Sequence, residues 1–380
     1  MTKSFKPFHL SLFLLAIVSA YAWFLILIPI DQPDFYFHIK NVAETKFFFG
    51  FPLWIEAGIY SSCRYIEIAP VELLLIQKDY YCGFMLPLVR LSRFMIVTLP
   101  IFLILVTNRK LFPVSATTYL MCINTPGFVQ VLSYHSIESI FLVLAFLCVG
   151  SASWLITLFV STLGFIFFDA GSAIIFLLFS IFLFLWKTIG LRTSKTLIIF
   201  LTFYFFIVFI FGINVLTIFK YIPIVGDKFL VVFEHYTTYY SYVYENYPPP
   251  LRPVLTFTGI FTFTPMAYGS VWLGLFCYLF VLASTAFPLL RSAISNSRIQ
   301  NQKSSDLFTK FIPSILFIIG TCIVLPGYSN VKYFIFCLPL LIKGLSDRHS
   351  SKKVFSYIFI VSGLSYLVVF FEVANQKNLF

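Results

Sequence analysis

Charged residues are scarce in this 380-residue chain. They make up 11% of it, whereas about 25% is usual in soluble globular proteins. Acidic residues are the scarcest, with 15 Asp and Glu against 26 Lys and Arg, while hydrophobic residues reach 60%. No soluble fold of this length has a core large enough to bury that apolar excess. The composition therefore excludes a soluble enzyme, a nucleic-acid-binding domain and a disordered chain.

Sequence motifs of several common chemistries are missing too. The chain has no P-loop, no dinucleotide-binding glycine fingerprint, no His-Glu-x-x-His and no Cys-x-x-Cys. Its seven cysteines are scattered. Cys63 and Cys82 share one polar loop, so they are candidates for a disulfide in an oxidising compartment. The other five lie in apolar stretches, where we expect them to pack as small hydrophobic residues.

What the chain has in abundance is apolar sequence in blocks, and a helix needs about 20 such residues to cross a bilayer. These blocks predict about eleven transmembrane spans. The count ranges from roughly 10 to 12, since the segment that contains Pro113, Pro126 and Gly127 can form one span fewer. We therefore expect an all-α, polytopic transmembrane bundle that forms a single integral membrane domain, 1–380. Besides a half-helix at 254–263, the blocks are Leu10–Ile30, Arg93–Thr107, Leu111–Leu132, Ser136–Gly150, Trp154–Phe168, Gly171–Trp186, Leu197–Leu216, Ala267–Leu290, Phe311–Leu325, Tyr333–Ile342 and Val354–Ala374.

The distribution of charge predicts the orientation of the bundle. With the N-terminus in the cytoplasm, the predicted inner segments carry 15 of the 26 basic residues but only two of the 15 acidic ones, Asp306 and Asp347. This asymmetry agrees with the positive-inside rule. Two enlarged outer loops result, at about 31–92 and about 217–253. The short apolar pieces of the first loop suit interfacial helices.

Two carboxylates, Asp31 and Asp34, emerge where the first predicted span leaves the membrane. A carboxylate beside hydrocarbon is costly to ionise, so its pKa tends to rise. Such a group suits general-base work on a sugar hydroxyl or the binding of a divalent cation. The structural alternative is that both residues simply end a helix at the water interface.

This stretch resembles the first outer loop of membrane-embedded glycosyltransferases of the C type. The resemblance rests on Asp31 and Asp34, then Tyr36 and His38, and then the break Gly50-Phe51-Pro52-Leu53-Trp54. It implies a catalytic base at Asp31 or Asp34, a substrate contact at His38, and a donor sugar on a polyprenyl phosphate or diphosphate. A divalent cation, Mg²⁺ or Mn²⁺, is compatible with it but not required. In this family the two acids more often form an Asp-Glu pair, so which Asp acts stays open.

Two shorter stretches resemble the same family. Ser133–Ser139 resembles the entry to a middle span and implies a substrate contact at Glu138, for which a helix-start carboxylate is the structural alternative. Pro326–Tyr333 resembles a late outer loop that contacts a lipid-linked phosphate, which implies roles for Tyr328, Lys332 and Tyr333. Lys332 stands where the family more often has Arg, so a point charge replaces a bidentate donor.

The second outer loop adds further candidate binding residues. Glu234 and His235 open a tyrosine-rich run that suits sugar faces and sugar hydroxyls, or alternatively an aromatic belt at the interface. Arg252 follows Pro248-Pro249-Pro250, which would present its cation rigidly to a phosphate.

These features predict a multi-pass protein of the bacterial inner membrane that acts on cell-surface polysaccharide. The expected enzyme is a glycosyltransferase, and a single-sugar transferase and an O-antigen or capsule polymerase fit equally. Its partners would be the lipid bilayer, a polyprenyl-linked donor and a glycan or lipid-linked acceptor, with no nucleic acid. A flippase for lipid-linked sugars is one alternative; it would need ionisable residues at mid-membrane depth, of which the sequence has almost none. A non-catalytic membrane assembly protein is the other alternative.

Overall fold

The computed structural model describes residues 116–134, 138–149, 153–167, 170–189, 252–262, 307–325, 331–348 and 351–376, with isolated positions at 199, 202–203 and 221. All regular structure in these residues is helical, and they contain no strand. The all-α expectation is confirmed for this part of the chain. The chain divides into two compact units, Met1–Ile174 and Ile175–Phe380, which are described separately.

The described part of the first unit begins with two helices separated by a short break. The helices are α1, Ala116–Ile123, and α2, Pro126–Tyr134. The Thr125 hydroxyl donates to the Cys122 carbonyl at 2.8 Å, and the Thr125 carbonyl accepts the first helical bond of α2, from the Val129 N–H, at 3.1 Å. Pro126 then occupies the first helical position, where its missing N–H does no harm. The described part of the span expected over Leu111–Leu132 therefore forms two short helices and not one continuous helix.

Aromatic rings join these helices to the next two, α3, Glu138–Cys148, and α4, Trp154–Phe167. The ring of Phe146 stacks on Phe128 at 5.3 Å between centroids and meets Tyr119 edge-on at 6.0 Å. All three side chains are fully buried. Further along, α4 approaches α3 closely at Gly164, where a β-carbon would overlap the Phe141 ring. In the described part of this unit, aromatic rings thus pack against each other and against glycine.

The second unit contains most of α5 and the remaining described helices. A π-helical turn, Leu307–Phe311, leads into α7, and two 3₁₀ turns, Val331–Tyr333 and Ile335–Cys337, lead into α8. The five helices are α5, Ala170–Ile189; α6, Arg252–Gly259; α7, Ile312–Val324; α8, Leu338–Arg348; and α9, Ser351–Gln376.

Phenylalanine side chains pack together in the described core of the second unit. Phe176, Phe179 and Phe182 recur every three residues along α5, so they share one helical face. Phe179 packs on Phe317 of α7 at 5.0 Å between centroids and on Phe336 at 5.5 Å. Phe176 meets the same Phe336 ring edge-on at 5.2 Å. The high phenylalanine content therefore has a packing role in addition to any contribution to the outer surface.

The sequence predicts a helical hairpin of Phe311–Leu325 and Tyr333–Ile342. Its second helix begins and ends later in the chain than predicted. The chain forms 3₁₀ turns up to Cys337, and α8 starts at Leu338 and continues past Lys343 to Arg348. Pro339 is tolerated there because it stands in the first helical turn, where its N–H is not needed. At the other end of this hairpin, Phe311 packs directly on Gly344.

Among the described residues, one helical segment has the length and apolar composition to cross a membrane, Gly171–Thr188. Shorter apolar helical segments lie at Trp154–Phe165, Thr309–Val324, Ile335–Leu345 and Ser356–Leu367. The last of these belongs to α9, which is 26 residues long and covers the predicted final span.

Candidate functional site

Four of the residues singled out from the sequence fall in the described part of the chain: Glu138, Arg252, Lys332 and Tyr333. The others lie outside the described residues, and their predicted roles stay predictions. They are Asp31, Asp34, His38, Cys63, Cys82, Glu234, His235 and Tyr328.

Glu138 is the first residue of α3, in the first unit. An acidic residue at this position is favoured by the partial positive charge at a helix N-terminus. Glu138 therefore stands where a helix-start carboxylate is expected, and this position is equally compatible with a substrate contact.

Arg252 is the first residue of α6, a helix of eight residues that lies in the interior of the second unit. Pro253, Leu255, Thr256, Phe257 and Thr258 are all buried, and so are residues 259–262. The Thr258 hydroxyl donates to the Val254 carbonyl at 2.9 Å, and the Thr262 hydroxyl donates to the Thr258 carbonyl at 3.1 Å. Burial of these polar side chains is thus compensated locally, and the short helix expected at 254–263 is confirmed.

Lys332 and Tyr333 lie in the first 3₁₀ turn. The Tyr333 side chain is buried, and that of Lys332 is half-buried. The Lys332 ammonium lies 4.8 Å from the centroid of the Tyr333 ring, which is within the range of a cation–π interaction. The turn is closed by a bond from the Phe334 N–H to the Val331 carbonyl at 3.0 Å. The lysine charge is therefore held next to its aromatic neighbour on a defined backbone.

The fold brings the segments of Arg252 and Lys332 together. Helix α6 packs against α7 and also against the turn Val331–Tyr333. Two elements that come from separate predicted outer segments are therefore neighbours, and each carries a cation. We refer to these two neighbouring elements as the α6–turn site. In the sequence they carry Arg252 and Lys332, and residues of this charge suit a phosphate or another anionic group.

Buried threonines of α6 support this site. The Thr258–Thr262 pair, spaced by four residues, is a signal for hydroxyls that bond back to the helix, and it explains why a threonine-rich helix can be buried. The pairing of α6 with the Val331–Tyr333 turn has no local sequence signal. Within the described residues, no group of three or more His, Cys, Asp or Glu side chains converges on a point where a metal could bind.

Comparison with protein families, with curated proteins and with solved structures yields no match.

Proposed function

We propose that this chain is a polytopic helical protein of the bacterial inner membrane. The observation that carries the proposal is the inverted polarity of α4. Its exposed side is made of large apolar side chains, with Leu155 at 80% and Phe159 at 64% exposure. Its inner side contains the buried Thr157 and Ser161 and the close-packed Gly164. Small and polar residues inside, with large apolar residues outside, are typical of helices that face lipid.

Helix α9 repeats this pattern in the second unit. Ile360, Leu364 and Leu367 are exposed, whereas Ser362 and Ser365 are buried, the latter donating to the Val361 carbonyl at 2.8 Å. Soluble monomers rarely expose large contiguous apolar patches. A lipid environment accounts for the exposed side of both helices without requiring a protein partner.

Within that membrane setting we propose a glycosyltransferase or polysaccharide polymerase that uses a polyprenyl-(di)phosphate-linked sugar or repeat unit at the outer face. Its support is the α6–turn site, whose cations suit the phosphate of the donor, together with the resemblance around Asp31 and Asp34. One of these carboxylates takes the proton from an acceptor hydroxyl. The acceptor oxygen then bonds to the anomeric carbon as the bond to the lipid (di)phosphate breaks, with inversion. Arg252 and Lys332 stabilise the negative charge that develops on the departing phosphate.

The deciding experiment is a gene deletion in the host, with surface glycan resolved on gels and lipid-linked precursors measured by mass spectrometry. Accumulated single repeat units without long chains identify a polymerase, and a repeat lacking one sugar identifies a single-sugar transferase. Plasmid-borne Asp31→Asn and Asp34→Asn variants are compared with Asp306→Asn, a carboxylate predicted to lie on the cytoplasmic side. An unchanged glycan profile in the deletion strain rejects the enzymatic proposal.

A further inference from the structure

Helices α3 and α4 form an antiparallel hairpin. A β-carbon on Gly164, near the end of α4, would overlap the ring of Phe141, which lies in the first turn of α3. The same β-carbon would lie 3.0 Å from the β-carbon of Ala173, at the start of α5. Residues nine positions apart in one straight helix are separated by about 13.5 Å. The chain therefore reverses again between Gly164 and Ala173, so α4 cannot continue into α5.

Both helices of this hairpin are too short to cross a bilayer. Helix α3 has 11 residues and α4 has 14, which correspond to about 16 Å and about 21 Å. The hydrocarbon core of a bilayer is about 30 Å thick. At the tip of the hairpin, Val149 and Ser153 are not helical. At the open end, only residues 135–137 and 168–169 separate the hairpin from α2 and α5, so neither helix can gain the missing length.

Charge sets the tip of this hairpin apart from the other predicted turns. No charged residue lies between Glu138, at the start of α3, and Asp169, after the end of α4. Every segment that the sequence places in the cytoplasm contains Lys or Arg, except residues 151–153 at this tip. The positive-inside rule therefore gives no reason to place the tip in the cytoplasm.

The surroundings of the tip suit hydrocarbon better than water. Irregular backbone at membrane depth must be hydrogen-bonded or covered by protein. Val149 is buried, and its N–H donates to the Ala145 carbonyl at 2.8 Å. The Ile156 N–H donates to the Ser153 hydroxyl oxygen at 3.5 Å, which caps the start of α4. Leu155, only two residues from Ser153, is nevertheless 80% exposed.

We propose that α3 and α4 form a re-entrant hairpin, which enters the membrane from the outer side and returns to it without reaching the cytoplasm. Its exposed apolar side, with Leu155, Phe159 and Phe165, contacts the acyl chains of the surrounding lipid. The predicted number of spans falls by two, to about nine. Because the two crossings are lost together, every other segment keeps its predicted side. The inference rests on the membrane location proposed above and not on the glycosyl-transfer activity.

The first test changes only the charge at the tip. Ser153→Asp and Ser153→Asn both keep a side chain that caps a helix well. In water, Asp would be at least as favourable as Asn, because its charge complements the helix N-terminus. Inside the membrane, the charge is costly. In nanodiscs we therefore expect Ser153→Asp to melt about 5 °C or more below Ser153→Asn. Equal melting temperatures, or a higher one for Ser153→Asp, overturn the proposal.

The second test measures access to the exposed position next to the tip. Leu155→Cys is treated with a membrane-impermeant maleimide in spheroplasts and in inverted membrane vesicles, and the unmodified chain gives the background of its seven cysteines. The matched control is Thr188→Cys, since Thr188 is exposed in the last turn of α5, on the predicted cytoplasmic side. We expect labelling of Thr188→Cys in inverted vesicles and none of Leu155→Cys in either preparation. Labelling of Leu155→Cys from either side overturns the proposal.

Failure of the proposed function is seen separately. A chain that is extracted from membranes by alkali fails the membrane proposal itself. An unchanged glycan in the deletion strain fails the enzymatic proposal, and it leaves both results on the hairpin unaffected.

Discussion

The contact between Gly344 and Phe311 leads to a sharp prediction about stability. In Gly344→Ala, the new β-carbon would overlap the Phe311 β-carbon and lie 3.2 Å from its γ-carbon and 3.3 Å from its α-carbon. The α-carbon belongs to the backbone, so relief requires the π-helical turn to move away from α8. Phe311 itself is buried, with 3% exposure, and has little room to move.

Gly363 provides the matched control. It lies within α9, and a β-carbon at this position would have no heavy atom within 4 Å. Both substitutions gain about 1 kcal/mol of helix propensity, since both glycines are inside helices. Only Gly344→Ala carries an overpacking cost of about 1–3 kcal/mol. The propensity gain cancels in the comparison, so Gly344→Ala should be less stable than Gly363→Ala by about 1–3 kcal/mol.

The assay is thermal unfolding of both variants and the unmodified chain, purified in the same detergent and followed by fluorescence. The difference between the two variants corresponds to about 2–6 °C in melting temperature. Gly363→Ala should match or exceed the unmodified chain. If Gly344→Ala melts together with Gly363→Ala, the close approach of the turn to α8 is not a feature of the folded protein.

Three further predictions concern other parts of the molecule. Phe179→Ala removes a buried ring that packs on Phe317 and Phe336, and it should lower the free energy of unfolding by about 3–5 kcal/mol. Phe184→Ala, at a 45% exposed position of the same helix, should have a far smaller effect. Equal melting temperatures of the two variants would contradict this packing. Thr125→Ala removes the hydroxyl that donates to the Cys122 carbonyl and should cost about 1 kcal/mol, with Thr125→Ser restoring the stability. If Thr125→Ser is as unstable as Thr125→Ala, this hydrogen bond is not responsible. Lys332→Ala should raise the apparent KM for the lipid-linked donor, whereas Lys332→Arg should retain donor use, so an unchanged donor KM in Lys332→Ala would remove the proposed phosphate contact.

Much of the helical content of the described residues was predictable from local sequence. The expected half-helix at 254–263 is present as α6, and the final span is covered by α9, because apolar runs and proline positions are local signals. The break at Thr125 was harder to predict from the sequence. Pro126 marked a boundary, but α1 and α2 are each too short to be recognised within one continuous apolar block.

The sequence by itself determined that this chain is rich in apolar helices, that its charges gather in a few segments, and that short polar stretches around Arg252 and Lys332 deserve testing. Only the tertiary structure decided which of these segments meet. The packing of α6 on the Val331–Tyr333 turn, and of Phe311 on Gly344, joins residues that are distant along the chain. Such contacts depend on how whole helices fit together, with ring against ring and backbone against glycine. Local composition does not encode that fit, since many different helix pairings would bury the same apolar residues.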